Sequence, residues 1–266
     1  MKGIRRLALC LVFACLSGCA SPTGTLTEVP DLWRTWTHAT VVLPPFGAAA
    51  ALVTTMDSAE MRARLRLLPA NVKVPVVVYA HGCSGMGGLP MLRALAESGF
   101  IVVAPDSFAR HFRPLQCDAD NQAGGRNLFV YDFRLEEIAF ALDQLWLRPW
   151  TDWNRLMLVG ASEGGVAAAL YRGDEFNARV ILQWTCGGAP HVAGLAPGKR
   201  EPVLALLAAD DPWYQRAGGG DCGPWLAGRA DSQSFLLAAV GNHELVTEPA
   251  AIRLVVEFLR RHAFRD

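Results

Sequence analysis

The chain has 266 residues, 52% hydrophobic and 19% charged, with 25 basic against 25 acidic side chains. That is ample apolar material for one large core and too little charge for a disordered chain. A formal net charge of zero gives no basic face for nucleic acid and no polybasic membrane surface.

The first residues read as a processing signal. Lys2, Arg5 and Arg6 precede a ten-residue apolar run, Leu7 to Leu16, too short for the roughly 20 residues that span a bilayer. Leu16-Ser17-Gly18-Cys19 then resembles the site at which a bacterial lipoprotein is cut and lipidated on its cysteine. We expect residues 1–18 to be a signal peptide and Cys19 to carry the lipid. Residues 19–31 are expected to form a Pro/Thr/Gly-rich spacer, and 32–266 a single domain. Ala20, where an aspartate would signal retention, points to the outer membrane, with the domain on the periplasmic side of the cell envelope. Cleavage near Ala20 by an ordinary secretory route is the alternative. Loss of the first 18 residues removes three basic groups and no acidic one, leaving a net charge of −3 (22 basic, 25 acidic).

Trp33 and Trp36 are expected to pack on the body. Thr40–Leu43 and Ala51–Met56 read as early antiparallel strands separated by Pro44-Pro45-Phe46-Gly47. Asp57 or Ser58 can cap a short helix with Arg62, Arg64 and Arg66 on its solvated side. A regular alternation follows. Val74–Tyr79, Phe100–Ala104, Leu156–Val159, Val180–Trp184, Val203–Ala208 and Phe235–Ala239 are β-branched or apolar runs of strand length. Between them, helices are expected near Leu89–Ser98, over Tyr131–Leu147 with Ile138, Leu142 and Leu145 inward, and after Gly165. A closing helix over Ala250–His262 would bury Ile252, Val255, Val256 and Leu259. Such alternation predicts an α/β fold: a mostly parallel sheet with helices on both faces and no second domain.

In an open parallel sheet, ligands bind beyond the carboxyl ends of the strands. There the run Val159-Gly160-Ala161-Ser162-Glu163-Gly164-Gly165 places Gly-x-Ser-x-Gly between a strand and a helix, the context of a nucleophile elbow. Ser162 is the candidate nucleophile. A serine needs an adjacent base, and His243, in the Gly241-Asn242-His243 turn after the last strand, is the candidate. Asp211 is the expected acid, three residues past Val203–Ala208 and followed by Pro212; Asp210 is the alternative. The chain order Ser162, Asp211, His243 is that of α/β-hydrolases. The N–H groups of Cys83 and Glu163 are the candidate oxyanion donors. His81, which precedes the serine, is better read as a histidine bracing the Gly82-Cys83-Ser84-Gly85 loop than as the base.

The mature chain retains Cys83, Cys117, Cys186 and Cys222 besides Cys19. In an oxidising compartment they suggest two disulfides, and none has the CxxC spacing of a zinc site. Three pairings are possible. Cys83–Cys117 and Cys186–Cys222 are favoured because each would tie loops at one end of the sheet. The loop Asp106–Asn127 carries Arg110, Arg113 and Arg126; these either meet an acidic substrate group or, more often in surface loops, pair internally. Trp184 and Trp213 are either an aromatic wall or core.

His81-Gly82-Cys83-Ser84-Gly85, Gly99-Phe100 with Ala104-Pro105-Asp106-Ser107, the Gly160–Gly164 elbow, Asp211-Pro212-Trp213 and His243 together resemble the dienelactone-hydrolase-like branch of the α/β-hydrolases over roughly residues 70–262. The resemblance implies a compact sheet without a large lid domain and hydrolysis of small esters or lactones, with neither metal nor cofactor. Dienelactone hydrolase proper uses a cysteine nucleophile, so Ser162 marks a serine variant and its specialised lactone is not implied. A serine peptidase or acyltransferase on the same triad is the nearer alternative. A non-catalytic envelope lipoprotein that keeps the fold is the farther one.

Overall fold

The computed structural model describes residues 29–189, 191–215, 220–238 and 243–264. The expected signal peptide 1–18, Cys19, the expected spacer up to residue 28, Gly218-Gly219, Ala239 and Gly241-Asn242 lie outside the described residues.

From the amino end the elements are α1 (Asp31–Thr37), β1 (Thr40–Leu43), β2 (Leu52–Thr55), α2 (Ala59–Leu65), β3 (Val74–Ala80), α3 (Leu89–Glu97), β4 (Ile101–Ala104) and α4 (Phe129–Trp146). They continue as β5 (Thr151–Ala161), α5 (Glu163–Leu170), β6 (Ala178–Leu182), β7 (Val203–Ala208), α6 (Pro212–Gln215), α7 (Gly223–Leu226), β8 (Gln233–Leu237) and α8 (Pro249–Ala263). The eight strands form one sheet in the order β2-β1-β4-β3-β5-β6-β7-β8. β1 is antiparallel to both β2 and β4, and every pairing from β4 to β8 is parallel. This is the mostly parallel α/β sheet that the alternation predicts.

β3 is buried along its whole length, as a central parallel strand covered on both faces must be. Its successive side chains serve opposite layers. Val77 and Tyr79 pack with Met91, Leu92 and Leu95 of α3 and with Val255 and Leu259 of α8. Val76 and Val78 pack with Ile138, Leu142 and Leu145 of α4, Ala167 and Ala168 of α5, and Trp36.

Several boundaries differ from the sequence expectations. Trp36 is buried and Trp33 is exposed, its ring edge on Phe140; both lie on α1, a helix short enough to escape a periodicity reading. β5 begins at Thr151, because Thr151 pairs with Val74 ahead of an irregularity in the ladder, while the polar run Asp152–Arg155 hides the extension. β8 is an edge strand with Phe235 and Leu236 exposed, and not a core strand. On α8, Val255 and Leu259 are buried as expected, but Ala251 and Phe258 take the places foreseen for Ile252 and Val256, which are half-buried. Ser58, not Asp57, caps α2, its side chain accepting from Met61 N–H.

Candidate active site

β5 delivers Ser162 and α5 departs from it. Ser162 has φ 56° and ψ −115°, a backbone conformation that costs a side-chain-bearing residue about 1–3 kcal/mol. The surrounding glycines explain how the turn closes. A Cβ on Gly160 would fall onto Gly164 O, one on Gly164 onto Ala80 O, and one on Gly165 would stand 2.5 Å from Leu182 O. All three collisions are with backbone, which cannot swing away. The tight turn holds the serine side chain clear of the sheet. Ser162 N–H is anchored to Leu182 O at 2.9 Å, and Val166 N–H to Ser162 O at 3.0 Å.

His243 Nε2 lies 2.9 Å from Ser162 Oγ, and His243 Nδ1 lies 2.7 Å from Asp211 Oδ2. With Nδ1–H donating to the carboxylate, Nε2 carries the lone pair that faces the hydroxyl. Asp211 is 1% exposed, and its second oxygen accepts from Trp213 N–H at 3.0 Å. Asp210 is exposed at the strand end. The imidazole is further held by Trp213, whose ring stacks on it at 5.1 Å, and the His243 main chain by Gln183, whose amide donates to His243 O. Tyr214 secures Gln183 in turn, its hydroxyl donating to Gln183 O at 2.9 Å. Gln183 and Tyr214 were not found by sequence reasoning. Gln183, at φ 61°, ends an apolar strand, and a lone polar residue there was the available signal.

Cys83 and Glu163 both line the cavity beside Ser162. Neither backbone N–H donates a hydrogen bond within the described residues, and that of Glu163 opens α5, where the helix dipole adds positive potential. The structure forms the bonds Cys83–Cys117 and Cys186–Cys222, with Cα separations of 6.0 and 5.0 Å, the two pairings favoured above. The first ties the loop after β3 to the loop that crosses the site; the second is buried among Trp184, Ile181 and Leu226. Trp213 is wall and Trp184 is core.

Behind the site lies a buried ion network. Glu137 accepts from Arg134 at 2.8 Å, Arg110 at 2.6 Å and Ser107 Oγ at 2.9 Å. Arg113 donates to Glu163 at 2.6 Å and to Ser107 Oγ at 2.9 Å. Arg110 and Arg113 are thus paired internally, while Arg126 pairs with Asp118 at the surface. Burial raises the Glu163 carboxyl above the usual carboxylate range, against the opposing pull of Arg134 and Arg113. His81 is part of this network. Its Nδ1–H donates to Gly82 O at 2.7 Å and its Nε2 accepts from Ser107 N–H at 3.0 Å. Burial, and then Arg134, hold it well below the usual imidazole range; it is a neutral brace. Arg134 and Glu137 also escaped the sequence reading. Arg134 lies one turn before the inward Ile138 on the same helix face, and a charge there was the clue. Among the described residues no group of three or more His, Cys, Asp or Glu side chains is placed to hold a metal.

Strand order, elbow and the Ser-His-Asp geometry define an α/β-hydrolase fold. The profile of the dienelactone hydrolase family matches residues 61–218, more than half of the chain, and the chain belongs to that family. The match contains Ser162 and Asp211 and ends before His243, which the fold returns to the site. A hyperthermophilic esterase from the archaeon Pyrobaculum calidifontis is similar in structure, with a TM-score of 0.51 at 13% identity over 88% of this chain and 90% of that one. An acylaminoacyl peptidase from Pyrococcus horikoshii has a TM-score of 0.50 at 14% identity, over 86% of this chain and 40% of that one. At these identities the likeness is one of fold. A search of curated proteins gives no match.

Proposed function

We propose that this member of the family is a serine hydrolase of small carboxylic esters or lactones. The observation that carries the reading is the continuous relay from Ser162 Oγ through His243 to Asp211, built on a serine in a strained elbow.

His243 Nε2 takes the Ser162 proton as Oγ attacks the ester carbonyl, and Asp211 steadies the resulting imidazolium. The N–H groups of Cys83 and Glu163 receive the oxyanion; loss of one such donor typically costs about 3–4 kcal/mol in the barrier. His243 then gives its proton to the departing alkoxide, leaving an acyl ester on Ser162. Water, deprotonated by the same imidazole, releases the acid and restores the hydroxyl. None of these steps calls for a metal or cofactor.

Intact-mass labelling with a fluorophosphonate tests the reading. One adduct per chain that disappears in Ser162→Ala is expected, and a folded protein that takes no label would defeat it. Turnover of amides, or acyl transfer to an added alcohol, would favour a peptidase or a transferase instead.

The same proposal places the enzyme on the periplasmic side of a bacterial outer membrane, anchored by lipid on Cys19. Two disulfides suit an oxidising compartment. No helix among the described residues is long and apolar enough to cross a membrane. Precursor accumulation under globomycin is the expected result; a soluble secreted product unaffected by it would defeat the anchor.

A further inference from the structure

The end of the sheet away from Ser162 carries a surface that the proposed chemistry does not use. Val74 opens β3 and pairs with Thr151, which opens β5; Ser162 follows the other end of β5, eleven residues and about 30 Å along it. The segments leading into these two strands leave apolar side chains open. A groove between α2 and the turn after α4 is lined by Met61, Leu65, Leu68, Val72, Leu147 and Trp150, and a second, which shares Leu147, continues past Trp146 and Trp153. Leu67 is 64% exposed, and Trp146 and Leu147 69% each. Trp146 stands edge-on to Trp153, ring centroids 4.8 Å apart. Apolar side chains this large, gathered on one face, mark a contact surface.

The charge around them is mostly of one sign. Arg62, Arg66, Arg148 and Lys73 line the two grooves against the carboxylate of Asp57. Asp57 accepts from Arg148 at 2.7 Å, so the charges of Arg62, Arg66 and Lys73 meet no second carboxylate among the lining residues. Arg62 donates to a backbone carbonyl, that of Asp57. Neighbouring carboxylates are turned elsewhere. Asp152 pairs with Arg155 at 2.6 Å, Asp143 acts on Tyr171, and Glu60 stands one turn from Arg64 on α2, outside the grooves.

Exposed tryptophan and leucine among arginine and lysine match a bilayer surface, where indole settles between headgroups and cations meet lipid phosphates. A second copy of the chain on the same face would set these cations against one another. The tether agrees with a bilayer. Trp36, near the end of α1, lies 5.7 Å from the Arg148 guanidinium, and the seven residues of α1 are about 10 Å long. Residues 19–30 reach up to about 40 Å when extended, so lipid on Cys19 allows this face to lie on the membrane that holds it. We infer that this face docks on an anionic phospholipid surface and turns the catalytic end of the sheet toward water, so that the site takes its substrates from solution and not from the bilayer. The inference rests on the envelope location proposed above.

The unlipidated chain 20–266 holds the whole sheet, both large apolar layers and both disulfides, so it folds without the lipid and its binding is not the anchor's. Sedimentation with vesicles of roughly one part phosphatidylglycerol to three parts phosphatidylethanolamine should carry it down about tenfold or more strongly than phosphatidylcholine vesicles do. Arg66→Gln with Lys73→Gln should lower that partition about tenfold, with circular dichroism unchanged. If this double variant fails to fold, Lys73→Gln alone, just before β3, is read in the same way. Brominated phosphatidylcholine added to the anionic vesicles should quench tryptophan emission. Trp146→Phe should remove most of that quenching, and Trp213→Phe, beside Ser162, should not. A chain that stays in solution with both kinds of vesicle overturns the docking, as does undiminished binding by the folded charge variant. Quenching lost with Trp213→Phe instead would place the catalytic end on the bilayer and overturn the orientation. Vesicle binding by the unlipidated chain, with a precursor indifferent to globomycin, would overturn the lipid anchor alone.

Discussion

Three side chains and one backbone conformation carry the proposed chemistry, and each can be tested singly. Asp211 holds Nδ1–H of His243 and so leaves Nε2 unprotonated toward Ser162. Asp211→Asn presents an amide instead and favours the wrong tautomer, so kcat should fall by about 10⁴-fold. Asp210→Asn, at an exposed position, should stay within a few-fold of wild type in the same ester assay. Reversed effects would move the acid to Asp210. His81 makes a different prediction, on stability. Its pKa is depressed in the native state, first by burial and then by Arg134, so its contribution is present above the ordinary imidazole pKa and lost below it. As pH falls below about 6.5 the unfolded chain takes a proton that native His81 refuses, costing about 1.4 kcal/mol per pH unit. Glu163 and Glu201, whose carboxyls burial raises, act with the opposite sign. The comparison is therefore between proteins. From pH 7 to pH 5 the urea midpoint should fall farther for wild type than for His81→Asn.

At the scale of elements, the site is a junction of rigid pieces held by close backbone approach and by sulfur. Gly164 sits where any Cβ would meet Ala80 O on the neighbouring strand. Gly164→Ala should therefore yield little folded protein, and not merely a slower enzyme; a well-folded, cooperatively melting Gly164→Ala variant would contradict this account. The two disulfides close loops of 34 and 36 residues, each corresponding to about 3–4 kcal/mol in the chain-entropy description. Their functional consequences should differ. Replacing Cys186 and Cys222 together by alanine should lower the denaturation midpoint while the folded fraction keeps its activity, because that bond is packed in the core. Replacing Cys83 and Cys117 should also lower kcat, because Cys83 is a proposed oxyanion donor and Cys117 lies in the cavity wall. Equal kcat for the two double variants would show that the first bond serves stability alone.

For the molecule as a whole, the sheet order sets what can reach Ser162. β5 lies between β3 and β6, so the loops after β3, β6 and β7 converge on its carboxyl end, where cavities open in an α/β sheet. The loop 106–127 folds across one side and is locked by Cys117 and by Arg113 on Glu163. With only small cavities beside Ser162, the enzyme should prefer short acyl chains. In a series of p-nitrophenyl esters, kcat/KM should peak at acetyl to butyryl and fall by roughly tenfold or more by decanoyl. A maximum at the long end would mean that the loop moves aside.

Much of this was legible in the sequence because the signals are local. β-branched runs such as Val74–Tyr79 announce buried parallel strands, and Gly160-Ala161-Ser162-Glu163-Gly164 announces the elbow through glycines that the turn needs for steric reasons. The order Ser162, Asp211, His243 followed from strands each ending in a reactive residue. What the sequence could not determine is whatever depends on contact across distant segments. That Asp211 and not Asp210 meets the imidazole is a matter of one residue's rotation at the end of β7, invisible to any periodicity. That Arg113 faces Glu163, 50 residues away, and that Gln116 shares its cavity, depends on how one loop lies across the sheet. Local backbone preferences are written in neighbouring side chains; which buried charges find partners is decided only when packing brings distant segments together.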